Sequence, residues 1–419
     1  MRVAFVVPRY GPDIIGGAET AARRLAEGLV AAKGWDVEVL TTGARDFVTW
    51  ADVYPEGQEE INGVRVHRFR SAAGRDPSFH PLSAALLADP TSASVADAER
   101  WLDLQGPVTP ALAAAAATSN ADVMVFYPYL YYPTARVIER VGAPTVLHPA
   151  AHDEPALYLP VFPPVFEAAD ALVFQTEAER ALVQGIFPVA SHHQMLLGLG
   201  VDDPEPGSLT REPTDPGVPG VPYLVCLGRV DSHKGTSDLA TMFAAYKERH
   251  PGPLRLVLAG PVVDAPAPHP DIDVVGTVSE AVKWELLGRA VALVSPSRWE
   301  AFSLVIAEAW SARTPVVVNA ACGATAEHAR RSGGGLSFQS YAEFEVIVER
   351  LGDDPALATE LGRRGRTYVD RQFRWPIVIG RYARFLESVA AAPRRSDAGA
   401  QRSGAGPADQ VDSENGGSG

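Results

Sequence analysis

Residues 291–318 read VALVSPSRWEAFSLVIAEAWSARTPVVV, and this stretch gives the clearest indication of the fold. The runs 291–294 and 315–318 are short, apolar and rich in valine, a pattern typical of strands buried on both faces of a parallel sheet. Between them, a loop that begins at Ser295 leads into a helix that we expect to start near Ser303. Strand, loop, helix and strand form one β-α-β unit, and such units build doubly wound sheets.

The same alternation extends over most of the chain and predicts two α/β units. Apolar runs predict strands at 3–7, 37–41, 64–69, 122–127, 144–148, 171–175, 223–227, 254–259, 272–275, 291–294 and 315–318. Helices are predicted at 18–32, 236–249, 279–289, 303–312, 340–371 and 376–391, with further surface helices within 75–120. We therefore predict an α/β fold with two Rossmann-like doubly wound parallel-sheet domains that face each other across a cleft.

Proline and glycine mark the expected domain boundaries. Residues 202–222 read DDPEPGSLTREPTDPGVPGVP, which lacks periodicity and is typical of a linker. We predict an N-terminal domain at 1–202, a linker at 203–222 and a C-terminal domain at 223–374. A helix at 375–392 follows, and the tail 393–419 has almost no large apolar side chains, so it is expected to be disordered.

The composition excludes several classes of protein. The chain has 419 residues and a net charge of -14, which argues against nucleic acid as the main partner. Its two cysteines, Cys226 and Cys322, form no zinc or disulfide pattern, so a reducing cytoplasm fits best. No apolar run is long enough for a membrane span or a signal-peptide core, although peripheral membrane contact stays open. The oligomeric state stays open as well.

Two carboxylates and a helix N-terminus are predicted to meet at the carboxyl end of the second sheet. Glu300 lies in the loop before the predicted helix and Glu308 lies within that helix. Free amide groups at 301–303 would suit a phosphate, and the two carboxylates can accept hydrogen bonds from hydroxyl groups. A nucleotide sugar has both kinds of group. The alternative is an ordinary carboxylate at a helix N-terminus together with an exposed glutamate.

Two glycine-containing loops follow predicted strands. After 223–227 comes GRVDSHKG (228–235), in which Arg229 and Lys234 could neutralise a departing diphosphate. After the first strand comes GGAE (16–19), where small residues let the backbone approach a ligand. Neither loop contains G-x-G-x-x-G, the dinucleotide fingerprint. The alternatives are a surface loop with incidental charges for the first and a simple connecting turn for the second.

The E-x7-E arrangement in EAFSLVIAE, followed by AWSARTPVVV, resembles the signature of the GT-B glycosyltransferases of family GT4. GRVDSHKG is similar to the GR-x-x-x-x-KG pattern of that family, and GGAE to its GGxE-type loop. The resemblance implies catalytic roles for His152, Arg229, Lys234 and Glu300. It implies donor binding by Gly16, Gly17, Gly228, Arg229, Lys234, Glu300, Ala301, Phe302, Ser303, Leu304 and Glu308. No metal ligand is expected.

Relatives carry a histidine after the strand at 144–148. A histidine at the end of a parallel strand can donate to a sugar hydroxyl or move a proton near neutral pH. His152, which is followed by Asp153, is the better match and His148 is the second choice. A structural histidine held by loop carbonyls is the alternative for both.

The sequence departs from the family pattern at two places. Ser303 stands where many relatives have glycine, and we expect it to act as a helix N-cap that keeps the phosphate site. Residues 319–324 (NAACGA) replace a more glycine-rich turn after the strand. His328 and the glycines at 333–335 are expected to shape the adjacent pocket wall, or to form a plain turn.

We therefore expect a retaining glycosyltransferase that moves a sugar from a nucleotide diphosphate sugar to a hydroxyl of a glycan, glycolipid or small molecule. Polysaccharide biosynthesis is the expected context, with no metal and no cofactor. The alternatives are a nucleotide-sugar epimerase on the same fold and a non-catalytic, two-lobed protein that binds sugars or nucleotides. A nicotinamide oxidoreductase is disfavoured because both loops lack the fingerprint. The donor base, donor sugar and acceptor are not identified by the sequence.

Overall fold

The computed structural model describes residues 1–14, 16–204 and 220–395. Most of the predicted linker, 205–219, and most of the predicted tail, 396–419, lie outside the described residues. The chain forms two parallel-sheet α/β units, as expected, which we name the first lobe and the second lobe. None of the described helices combines the length and the apolar character needed to cross a membrane.

The first lobe contains an eight-stranded sheet and the helices that cover it. Its strands are β1 (Arg2–Val6), β2 (Asp36–Thr42), β3 (Gly57–Ile61), β4 (Val64–Phe69), β5 (Val123–Phe126), β6 (Thr145–Leu147), β7 (Ala171–Phe174) and β8 (His193–Leu196). Its helices are α1 (Gly17–Lys33), α2 (Phe79–Ala88), α3 (Val95–Gln105), α4 (Pro110–Ala117), α5 (Tyr132–Ala135), α6 (Pro163–Ala168) and α7 (Glu177–Ile186). Short 3-10 turns occur at Pro90–Ser92, Ile138–Arg140 and Pro155–Tyr158.

The second lobe contains a six-stranded sheet. Its strands are β9 (Tyr223–Leu227), β10 (Arg255–Ala259), β11 (Ile272–Gly276), β12 (Ala292–Ser295), β13 (Val316–Asn319) and β14 (Gly335–Phe338). Its helices are α8 (Thr236–Arg249), α9 (Glu280–Arg289), α10 (Leu304–Ser311), α11 (Gly323–Ser332), α12 (Tyr341–Asp353) and α13 (Pro355–Gln372), and α14 (Trp375–Ala391) follows.

The strand orders locate the ligand-binding edge of each sheet. The first sheet has the order β3-β4-β2-β1-β5-β6-β7-β8, and only the edge strand β3 is antiparallel to its neighbour. The second has the order β11-β10-β9-β12-β13-β14 and is parallel throughout. The winding reverses beside β1 and beside β9, and open α/β sheets bind ligands at the carboxyl ends of strands at such switch points. The GGAE and GRVDSHKG loops follow β1 and β9.

All predicted strands are present, but several elements were not predicted. Too few large apolar side chains for a recognisable hydrophobic periodicity occur in strands β3, β8 and β14 and helix α11. In β3, for example, four of the five residues are exposed. The glycines at 333–335 do not form a plain turn alone, since Gly333 caps α11 and Gly335 begins β14. The predicted helix 340–371 is two helices, because Asp354 caps a new helix that has Pro355 in its first turn.

Helix α14 leaves the second lobe and packs on the first. Its Ile379 lies against Gly28 of α1, where a Cβ atom would overlap the isoleucine side chain. One cluster of buried apolar side chains includes residues of both sheets and of this helix. The chain thus crosses between the lobes twice, and the two crossings run side by side: the amide of Val201 donates to the carbonyl of Phe373 at 2.7 Å, and Val201 forms a parallel bridge with Arg374.

Candidate functional site

In the second lobe, an ion pair joins the GRVDSHKG motif to the EAFSLVIAE motif. The Lys234 ammonium lies 2.6 Å from Glu300 Oε1, and both side chains are only partly exposed. The approach depends on Gly235, which has φ +74 and whose Cβ, if present, would lie 2.9 Å from the Pro296 carbonyl oxygen. A glycine is favoured there on both counts. The structure therefore brings together two of the four predicted catalytic residues.

Arg229 lies beside this pair and faces the first lobe. Its Nε is 3.3 Å from Asp231 Oδ2, while the amide of Lys234 donates to Asp231 Oδ1 at 2.7 Å. The buried Asp231 thus fixes both ends of the cationic loop. The guanidinium is 41% exposed and lies 6.0 Å from the Phe47 ring of the first lobe. Gly228, which precedes it, has φ +125.

The segment before helix α10 differs from the predicted cap. Ser303 has φ +71, in the left-handed region, and its side chain caps no amide; its buried hydroxyl has no hydrogen-bond partner among the described residues. The expectation of a serine N-cap is therefore wrong, because a capping serine needs an extended backbone. Helix α10 begins at Leu304, and the amides at its N-terminus point toward the same edge of the sheet as Lys234.

Ala301 and Phe302, which precede Ser303, make different contacts. The Phe302 ring is buried and lies 4.7 Å from His328 and 5.1 Å from Phe373, so only its backbone is available to a ligand. The Ala301 carbonyl accepts a hydrogen bond from the Thr176 hydroxyl of the first lobe at 3.2 Å. His328 belongs to the aromatic cluster around Phe302, where burial lowers its pKa to about 4. It is thus a packing residue behind the loop.

Glu308 lies apart from Glu300, in a cavity of about 400 Å3 between the lobes. Its Oε1 is 2.7 Å from the Lys283 ammonium, which also contacts Glu280 at 2.7 Å. Burial raises the pKa of Glu308, while the Lys283 ammonium opposes that shift. Other residues that line the cavity include Thr20, Arg23, Arg24 and Trp375. The cavity therefore combines a paired carboxylate, two arginines and an aromatic ring.

The GGAE loop is organised around an ion pair that the sequence did not indicate. The Arg9 Nε donates to Glu19 Oε1 at 3.1 Å, and both side chains are buried. A Cβ on Gly16 would overlap the Glu19 carboxylate, whereas a Cβ on Gly17 would meet nothing within 4 Å. Gly16 therefore makes room for Glu19. Arg9 lies three residues after the end of β1, and no local pattern links it to Glu19.

The two candidate histidines have different environments. His148 is 1% exposed, its Nε2 is 2.9 Å from the Tyr382 hydroxyl of α14, and its ring stacks on Tyr127. Burial lowers the pKa of His148 to about 3, so it is a neutral core residue. The His152 side chain is 30% exposed, and its Nδ1 lies 3.8 Å from Glu154 Oε1. The geometry therefore favours His152, whose catalytic role stays a prediction.

A buried glutamate supports the loop that carries His152. Glu179 accepts hydrogen bonds from the amides of Ala151 at 2.9 Å and Gln175 at 2.6 Å. Burial raises its pKa to about 8, against the opposing effect of those amide groups. Thr176 caps the same helix by accepting from the amide of Glu179, and its hydroxyl reaches Ala301. The T-x-x-E spacing was a usable capping signal.

Within the described ranges, no three or more His, Cys, Asp or Glu side chains are grouped so that they could hold a metal ion. The positive groups at the candidate site are instead Arg229, Lys234 and the amides that begin α10. Both cysteines, Cys226 and Cys322, are buried and free.

Comparisons with known proteins identify the family of the chain. The family model described as "Glycosyl transferase 4-like domain" matches residues 16–200, and that described as "Glycosyl transferases group 1" matches residues 221–354. Together they span about three quarters of the chain. A glycogen synthase of Mycobacterium tuberculosis is 25% identical over 395 residues, covering 90% of this chain and 92% of that protein.

Solved structures show the same fold. Sucrose-phosphate synthase from Thermosynechococcus elongatus superposes with a TM-score of 0.69 at 18% identity, covering 94% of this chain and 100% of the other. Anabaena HepE, solved in complex with UDP and glucose, superposes with a TM-score of 0.61 at 14% identity, covering 93% and 100%. The fold and the family expected from the motifs are thereby confirmed. The chain belongs to the group 1 glycosyltransferases, is a glycosyltransferase of the GT4 type, and has the GT-B fold.

Proposed function

We propose that this glycosyltransferase transfers a sugar from a nucleotide diphosphate sugar to a hydroxyl group, with retention of configuration and without a metal ion. The observation that carries the proposal is the convergence of Arg229, Lys234 and Glu300 at the β9 switch point, beside the N-terminus of α10. The second lobe would hold the donor and the first lobe the acceptor. The complex of Anabaena HepE with UDP and glucose supports a donor of this kind.

Bond breaking requires that two growing charges be stabilised. Negative charge develops on the leaving diphosphate, and Arg229, Lys234 and the α10 amides are placed to oppose it without reorganisation. These groups take the part that a divalent cation would otherwise have, so the mechanism needs neither metal nor cofactor. Positive charge develops on the sugar ring, next to the Glu300 carboxylate. The leaving phosphate can take the acceptor proton on the same face, which preserves configuration.

The lysine and the glutamate must separate before the donor binds as proposed. Lys234 contacts Glu300 at 2.6 Å, so a diphosphate would take over the ammonium and free the carboxylate for sugar hydroxyls. Glu308 and the 400 Å3 cavity would receive the ribose and base. His152 would contact the sugar near its reactive carbon. Gly16, Gly17 and Gly228 would leave space for the phosphates.

The acceptor hydroxyl could belong to a glycan, a glycolipid or a small molecule. A glycan acceptor would make polysaccharide synthesis the biological context. We place the reaction in the cytoplasm, because two buried free cysteines suit a reducing compartment. Peripheral contact with a membrane is compatible with this proposal.

The proposal is tested by donor use in a panel of UDP-, GDP- and ADP-sugars, with wild type, Lys234→Ala and Lys33→Ala. Lys33 is an exposed lysine at the end of α1 and serves as the matched control. Lys234→Ala is expected to lower turnover at least a hundredfold with an unchanged thermal transition, while Lys33→Ala is expected to behave as wild type. Wild-type turnover by Lys234→Ala would refute the proposed role. Donor consumption without any acceptor, yielding an epimer, would favour the epimerase.

A further inference from the structure

Arg75 is a cation without an acidic partner in the first lobe. It follows β4, and its amide donates to the Thr49 carbonyl at 3.0 Å. Its guanidinium lies 4.5 Å from the Phe79 ring centroid. Among the described residues no carboxylate lies within ion-pair distance, and the buried Nε has no hydrogen-bond partner. A partly buried guanidinium with no acidic partner is unusual, because desolvated charges are normally paired.

The Asp46 carboxylate, whose charge acts on Arg75, forms its hydrogen bonds within its own loop. Asp46 Oδ1 accepts from the amides of Val48 at 2.8 Å and Thr49 at 2.7 Å, and Oδ2 accepts from the Thr49 hydroxyl at 3.0 Å. Asp46 therefore stabilises its own loop and forms no ion pair with Arg75. Burial lowers the pKa of Arg75, against the opposing effects of Tyr131 and Asp46, which is the direction expected for a cation that has lost water without gaining an ion pair.

Arg75 belongs to a wall of the first lobe that also carries Trp50 and Arg9. Gly74, the residue before Arg75, lies against Trp50, where an added Cβ would be 3.7 Å from the Trp50 Cβ, and the Arg9 guanidinium lies 6.0 Å from the Trp50 ring. The Tyr131 ring packs against Trp50 with centroids 4.9 Å apart.

The same wall continues to the second lobe through the loop that precedes Trp50. Arg9 lies 5.3 Å from the Phe47 ring, and that ring lies 6.0 Å from Arg229. Glu19 neutralises Arg9, whereas Arg75 forms no ion pair with any described residue.

We propose that Arg75 binds an anionic group of the acceptor, either a phosphate or a carboxylate. The inference rests on the proposed function, since it assumes that the first lobe holds the acceptor. A planar guanidinium recognises both anions through two parallel hydrogen bonds. The donor diphosphate is assigned to Arg229 and Lys234 across the cleft, so the two anions would occupy separate places.

The first test measures the binding of inorganic phosphate by calorimetry to the full chain, with and without saturating UDP. The variants are Arg75→Met, which keeps the apolar contact with Phe79, and Arg75→Lys, which keeps the charge. Arg70→Gln is the control, because Arg70 is highly exposed on the same segment. We expect about tenfold or more weaker phosphate binding for Arg75→Met, a smaller loss for Arg75→Lys and none for the control.

Equal phosphate affinity in wild type and Arg75→Met would overturn the inference, as would an equal loss in Arg70→Gln. If UDP fails to bind, the proposed function fails, but the comparison between wild type and Arg75→Met still decides the role of Arg75. A second test compares glucose 6-phosphate, glucuronate and glucose as acceptors. We expect wild type to prefer one anionic acceptor at least tenfold, which identifies the anion, and Arg75→Met to lose that preference. An unchanged preference would refute the inference.

Discussion

Replacing Ser303 by glycine is expected to stabilise the second lobe. Ser303 has φ +71 and ψ 83, a conformation that side chains with a Cβ disfavour, and its hydroxyl is buried without a partner among the described residues. Glycine adopts this backbone conformation freely and brings no hydroxyl to bury. The substitution therefore removes two unfavourable features at once.

The magnitude follows from three contributions. Relief of the left-handed conformation contributes about 1–2 kcal/mol. Removal of an unpaired buried hydroxyl contributes about 1 kcal/mol. The greater entropy of glycine in the unfolded chain opposes these by about 0.5–1 kcal/mol. The net gain is about 1–2.5 kcal/mol, which corresponds to a rise of about 2–10 °C in Tm for a unit of this size.

The measurement is the thermal unfolding of wild type, Ser303→Gly and Ser303→Ala. Alanine removes the hydroxyl but keeps the strained backbone, so Ser303→Ala should gain only about half as much stability. Ser340→Gly is the control: Ser340 caps α12 by accepting from the Glu343 amide at 3.3 Å with an extended backbone, so glycine should slightly destabilise the protein there. Ser303→Ala at least as stable as Ser303→Gly would refute the argument from strain.

Three further predictions concern the first lobe. Glu179→Gln should lower kcat about tenfold and leave the donor KM nearly unchanged, because the new side-chain NH2 cannot accept the hydrogen bond that either the Ala151 or the Gln175 amide donates, and the His152 loop shifts; steady-state kinetics will show this. Gly16→Ala should destabilise the protein by about 2 kcal/mol in thermal unfolding, because the new Cβ displaces Glu19 from its buried partner. His148→Phe should reduce the decrease in the free energy of unfolding that accompanies a fall in pH, as measured by chemical unfolding at pH 4 to 8.

The sign of the pH effect follows from burial. The pKa of His148 is lowered to about 3 in the folded protein, so only the unfolded chain takes up its proton between about 6.5 and 3. Wild type should lose up to about 1.4 kcal/mol per pH unit from this group as the pH falls through that window. An equally steep decline in His148→Phe would contradict the assignment.

Matched substitutions control for the other two predictions. Glu177→Gln changes an exposed carboxylate on the same helix and should leave kcat unaltered. A fall in kcat equal to that of Glu179→Gln would show that the effect is not specific to the buried group. Gly17→Ala adds a methyl group that meets nothing within 4 Å, so it should not destabilise the protein. A similar loss at both glycines would show that helix initiation, and not Glu19, is responsible.

The hydrophobicity of short segments predicted most strands of the two sheets, because a buried parallel strand is a continuous apolar run whichever strands lie beside it. It also predicted that Lys234 and Glu300 would share one edge, since the carboxyl ends of neighbouring strands meet there. It could not predict β3 or β14. These strands are held by ladder hydrogen bonds to neighbours and have no apolar period of their own.

The parts of the site that were missed depend on contacts between distant segments. Arg9 pairs with Glu19, and the Phe47 ring lies between Arg9 and Arg229. None of these residues has a sequence context that indicates its partner. Glu179 was missed because a capping spacing is common, and only its burial shows that it holds another loop. The Ser303 prediction was wrong because residue type does not report the sign of φ.

The adjacent crossings at Val201 and Arg374 determine which movements the lobes can make. A single tether would let one lobe swivel about the other, but two tethers joined by a backbone bridge resist torsion. We therefore expect the cleft between the lobes to open by a hinge motion about an axis through that bridge. Each closing movement would bring Lys234 and Glu300 of the second lobe back to the same position relative to the first lobe.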